Sequence, residues 1–73
     1  MDERDRLRAG IRLALGFIAD NRQDQARRMG VSLYTLGRWL AGVAEPRPEN
    51  IARLSRQSGM TEEAIRAGRL SAN

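Results

Sequence analysis

Apolar residues return along this chain at helical spacing, with no strand-like alternation. Leu7, Ile11, Ala14, Leu15 and Ile18 fall at i, i+4, i+7, i+8 and i+11, which predicts a helix from about Arg4 to Ala19. Leu13 and Phe17 lie four apart on an adjacent face, so this helix is expected to be apolar over much of its circumference. Asp2, Glu3 and Asp5 suit its positive dipole end, and Asp20-Asn21 supplies turn chemistry at its close. A short second helix, Arg22 to Met29, has only Ala26 and Met29 as apolar positions, and Gly30 ends it in the left-handed region. Val31 follows. Ser32 then reads as the N-cap of a third helix, Leu33 to about Ala41, with Leu36, Trp39 and Leu40 inward and Gly42 as its stop.

Val43 to Pro48 reads as a loop holding both prolines, with Pro48 able to sit in the first turn of the next helix. Ile51, Leu54 and Ser55 give that fourth helix a narrow inner face, and Gly59 ends it. Thr61 caps a last short helix with Glu62 and Glu63 in its first turn, Ala64 and Ile65 inward and Gly68 as its end. The tail from Arg69 to Asn73 is expected to fray. The pattern predicts an all-α protein, a compact five-helix bundle.

Composition narrows the function. At 73 residues the chain has room for one domain, 1–73, and for no large enzyme. It contains neither cysteine nor histidine. Disulfides, thiol chemistry, the commonest general base and the commonest metal ligand are therefore all missing. No catalytic residue, metal site or cofactor is expected, and no nucleophile–base pair is visible. No window approaches a membrane span. Met1 to Arg8 carries both signs of charge with no apolar run behind it, unlike a secretory signal, so a cytoplasmic location is expected.

All 13 basic residues are arginine, against 9 acids, for a net charge of +4. Codon usage in a GC-rich genome is one explanation. The other is chemical, because arginine makes forked contacts with phosphate and guanine. The excess is uneven. Residues 22–38 carry Arg22, Arg27, Arg28 and Arg38 against Asp24 alone, net +3.

The same stretch holds a specific spacing. Ala26 is small enough for a helix crossing, Gly30 can start a tight turn, and Val31, Leu36 and Trp39 can hold the second helix of the pair against the first. Ala26–x3–Gly30–x5–Leu36–x2–Trp39 matches a helix-turn-helix over 22–41. The run Gly30-Val31-Ser32-x-x-Thr35-Leu36-x-Arg38-Trp39-x-x-Gly42-x-x-x-Pro46 resembles the lambda-repressor-like family, the Cro/CI or XRE type of phage and bacterial regulator. Pro46 to Leu54 and Gly59-Met60-Thr61 resemble that family's fourth and fifth helices, so the likeness runs from about Leu7 to Gly68. It implies a DNA-binding domain acting as a homodimer on palindromic operator DNA. Two positions depart from the pattern. Gln25 stands where an apolar residue is common, and Arg22 replaces a common glutamine whose phosphate contact an arginine can substitute.

With Leu36 and Trp39 buried, the third helix would present Leu33, Tyr34, Gly37, Arg38 and Ala41. Candidate base contacts are Ser32, Leu33, Tyr34, Gly37 and Arg38. In that scheme Arg38 forks onto guanine, while Leu33 and Tyr34 touch thymine methyls or the tyrosine hydroxyl takes a phosphate. Candidate phosphate contacts are Arg22 and Gln23 at the start of the second helix and Arg47 and Asn50 flanking the fourth. Plainer readings stand beside these. Leu33 would cover a neighbouring helix, Tyr34 would be half-buried, and Arg38 would be a solvated charge. Arg4, Arg8 and Arg12 read as a solvated row or as partners of Asp2 and Asp5. The leading expectation is a sequence-specific DNA-binding transcription regulator, with no membrane partner. The alternative is a protein-interaction module, antitoxin-like or an adaptor, on the same scaffold.

Overall fold

Five helices occupy residues 2–70, the part of the chain described by the computed structural model. They are α1 Glu3–Ile18, α2 Arg22–Met29, α3 Leu33–Ala41, α4 Pro48–Ser58 and α5 Glu62–Ala67. The fold is all-α. The expected bounds hold for α2 and α3, and α1 begins and ends one residue earlier than expected. Of the tail expected to fray, 71–73 lie outside the described residues. Arg69 is tethered, because its N–H donates to the Ala64 carbonyl and its guanidinium lies 3.6 Å from Glu63.

Local chemistry sets the boundaries. Asp2, Asn21, Ser32 and Thr61 each accept a hydrogen bond from the backbone N–H three residues on, at 2.8–3.0 Å. Asn21 thus opens α2 as well as belonging to the turn that closes α1. Helix α4 has no side-chain cap at Arg47 and starts instead with Pro48, which has no N–H to satisfy. Gly30 (φ 69°) and Gly42 (φ 77°) end α2 and α3 in the left-handed region.

Helix α1 packs against all four others and carries Ile11, Ala14, Leu15 and Ile18 into the core. Met29, Leu36, Trp39, Ile51, Leu54 and Ile65 meet them there. Met60 joins this core from the three-residue link between α4 and α5, a position without helical periodicity to announce it. Its carbonyl accepts from the Ser55 hydroxyl at 2.6 Å and its N–H donates to Ser58 Oγ at 3.1 Å. The broad apolar face expected on α1 is not covered, since Phe17 is 60% exposed and Leu13 is only half-buried.

Helices α1 and α5 run antiparallel with their backbones in contact. A Cβ on Gly10 would fall on the Ile65 carbonyl, and one on Gly68 would meet the Arg6 backbone. Gly16, two turns further along α1, has nothing within 4 Å of the same position. The two helical glycines therefore predict opposite signs. Gly16→Ala is expected to stabilise by about 0.5–1 kcal/mol, the helix-propensity difference. Gly10→Ala is expected to destabilise, because backbone gives way less readily than a side chain. Urea melts of both variants check this, and a Gly10→Ala midpoint at or above wild type would contradict the α1–α5 contact.

Candidate nucleic-acid interface

Helices α2 and α3 are joined by Gly30, Val31 and Ser32. The turn closes on the backbone, with the Val31 N–H on the Ala26 carbonyl at 3.0 Å and the Gly30 N–H on the Arg27 carbonyl at 3.1 Å. Ala26, Leu36 and Trp39 are buried, Trp39 at 3% exposure, and Val31 is half-buried against the core. One edge of α3 is thereby fixed inward, and its opposite edge is left in solvent.

That outer edge holds four of the five candidate base contacts. Leu33 is 48% exposed, Tyr34 is 73% exposed, and Gly37 and Arg38 are exposed beside them. The plainer reading of Tyr34 as half-buried is overturned, and Leu33 covers its neighbours only in part. Gly37 has open space where a Cβ would lie, so nothing inside the molecule requires a glycine there. The Arg38 guanidinium carbon sits 5.6 Å from the centroid of the Tyr34 ring, and Nη1 is 3.4 Å from the tyrosine hydroxyl. Ser32 is exposed, but its hydroxyl is engaged. It accepts from the Thr35 N–H and donates to Thr35 Oγ1, both at 3.0 Å.

The candidate phosphate contacts lie at two helix starts. Arg22 and Gln23 are exposed on the first turn of α2, and Arg22 Nη1 donates to Gln25 Oε1 at 2.7 Å. Arg47 is exposed at the N-cap of α4, and the half-buried Asn50 donates its N–H to the Arg47 carbonyl at 2.8 Å. Arg27 lies 3.4 Å from Asp24. In the α1 arginine row, Arg8 pairs with Asp5 at 3.0 Å, while the Asp2 carboxylate is used as a cap. Among the described residues no cluster of acids is placed to hold a metal ion.

Several polar side chains hold this region together that the sequence did not single out for the task. Gln25 is 2% exposed, and its amide donates to the Leu15 and Ala19 carbonyls at 3.0 and 2.9 Å. Arg53 of α4 donates to the Met29 carbonyl at 2.8 Å, and Gln57 donates to the Arg28 carbonyl at 3.3 Å. Arg8 donates to the Ala41 carbonyl at 3.0 Å. Apart from Leu15, whose carbonyl also accepts from the Ala19 N–H, these are carbonyls left open at helix C-terminal ends. Gln25 had one visible signal, since it stands a turn before Met29 on the inward side. Arg53 had none.

In comparisons with protein-family models, curated proteins and solved structures, the chain matches none.

Gln25→Leu keeps much of the volume and removes both donors. It would remove two hydrogen bonds, to the buried Leu15 carbonyl and the part-buried Ala19 carbonyl, and the expected cost is about 1–3 kcal/mol. A urea midpoint unchanged from wild type would show that the amide does not anchor α2 to α1.

Proposed function

We propose that the chain is a sequence-specific DNA-binding regulator of the phage or bacterial repressor type. In this reading 22–41 acts as a helix-turn-helix and α3 enters the major groove. The observation that carries the proposal is the outer edge of α3, where Leu33, Tyr34, Gly37 and Arg38 are all exposed while Leu36 and Trp39 anchor the helix from behind. An arginine on such an edge can fork onto guanine O6 and N7, and apolar neighbours suit thymine methyls. Arg22, Gln23, Arg47 and Asn50 at two helix starts suit phosphates. The partner is double-stranded DNA, bound as a homodimer on a palindromic operator in the cytoplasm. Support comes from the resemblance to the lambda-repressor-like family and from the basic excess over α2 and α3. A second reading, a protein-interaction module, is favoured by the exposed apolar surface of Leu33 and Tyr34.

Selecting bound duplexes from a random pool tests the proposal and reveals half-site symmetry. If about four phosphates are neutralised per subunit, log affinity falls against log salt with a slope of about −3.6, at about −0.9 per contact. A flat dependence would favour the protein-interaction reading. Arg38→Ala is expected to cost about 1–3 kcal/mol on the selected site and to relax one base position. Arg22→Ala is expected to weaken all sequences alike and to reduce the slope by about 1. The reverse pattern would mean that the two arginines exchange roles.

Gly37 separates folding from binding. Gly37→Ala places a methyl in open space, so the free protein is expected to gain about 0.5–1 kcal/mol. If α3 approaches bases closely, the same methyl weakens DNA binding. A variant that melts later and also binds as tightly as wild type would remove the close approach at this position.

A further inference from the structure

We propose that Tyr34 is a positioning residue for Arg38, so that the pair forms one preassembled guanine reader. The inference rests on the DNA-binding reading above and assigns Tyr34 a role other than direct base or phosphate contact. Tyr34 and Arg38 are one turn apart on α3, and helical side chains lean toward the N-terminus, which lays Arg38 back over the tyrosine ring. The 5.6 Å separation of the guanidinium carbon from the ring centroid lies within cation–π range. The 3.4 Å approach of Nη1 to the hydroxyl is longer than a well-formed N–H···O bond, so the ring face carries the contact more than the hydroxyl does. Among the described residues Arg38 forms no ion pair that would draw it elsewhere.

Stacking uses the face of the guanidinium and guanine recognition uses its edge. With Nη1 turned to the tyrosine, the Nε and Nη2 donors remain in the same plane and can meet O6 and N7 together. A long arginine ordinarily loses much rotamer freedom on binding. Here the ring restricts that freedom before DNA arrives, which favours the bound geometry. This arrangement also accounts for an aromatic that is nearly three-quarters exposed on a helix whose core side is already filled by Leu36 and Trp39.

The test uses the full chain and a duplex selected from a random pool. Tyr34→Ala should reduce the preference for guanine at the Arg38 position about two- to fivefold, the range of an exposed cation–π contact. Because no phosphate contact is removed, the salt slope should stay unchanged. Tyr34→Phe keeps the ring and should retain the preference. In an Arg38→Ala background, Tyr34→Ala should have no further effect at that base pair. In the DNA-free protein, proton NMR should show the Arg38 δ-methylene shifted upfield by the ring, in wild type and in Tyr34→Phe but not in Tyr34→Ala. Tyr34 is exposed, so the variants should fold, and a thermal melt confirms it. An effect of Tyr34→Ala that persists without Arg38 would mean that Tyr34 contacts DNA itself and would overturn the positioning role. Equal losses in Tyr34→Phe and Tyr34→Ala would overturn the ring face as the contact that positions Arg38. An Arg38 signal insensitive to Tyr34 would overturn the stack. If the ring shift is present but no duplex is selected, the DNA-binding reading fails and the guanine reader falls with it.

Discussion

The Gln25 carboxamide lies buried between α1 and α2 and donates both its N–H groups to carbonyls at the end of α1. Its oxygen accepts from Arg22, so the side chain has a partner on every side. In a water-poor site, an amide without partners is costly enough that few other packings of these helices would tolerate it. The bond therefore fixes where α2 leaves α1. From that point Gly30 and the buried Leu36 and Trp39 determine how α3 is carried, and the exposed edge of α3 follows.

Around this joint, long polar side chains act as struts between elements. Arg53 reaches from α4 to the end of α2, and Arg8 reaches from α1 to the end of α3. Each meets backbone carbonyls at the negative end of a helix dipole, where a cation is favoured. Arg8 and Arg53 are thus engaged in joining one helix to another. Arg38 and Arg47 stand exposed on the outside, where contact with DNA is proposed. Net charge alone cannot separate these uses, because it counts both alike.

Helix-interior glycines divide in a similar way. Gly10 permits the backbones of α1 and α5 to touch, whereas Gly16 and Gly37 border open space. Such a glycine weakens its helix without serving its packing. Gly37 lies on the edge of α3 proposed to meet DNA. Gly16 lies beside the exposed Phe17, and nothing in the structure shows what covers that part of α1.

Helix limits and the two faces of α3 were legible in the amino-acid order because their causes are local. A cap bonds three residues ahead, a left-handed glycine acts on its own turn, and helical periodicity sorts Leu36 and Trp39 from Leu33 and Arg38. The Tyr34–Arg38 contact is also local, one turn apart, and was available to such a reading. The tertiary structure alone decided the rest. Bonds from Gln25, Arg53 and Arg8 span 10, 24 and 33 residues of chain, and no periodicity encodes such partners. Met60 is buried from a link, and Gly10 is needed only because another helix happens to cross there. Such positions acquire their roles when helices pack, since a carbonyl left open at one helix end can be satisfied only by whatever side chain the fold brings within reach.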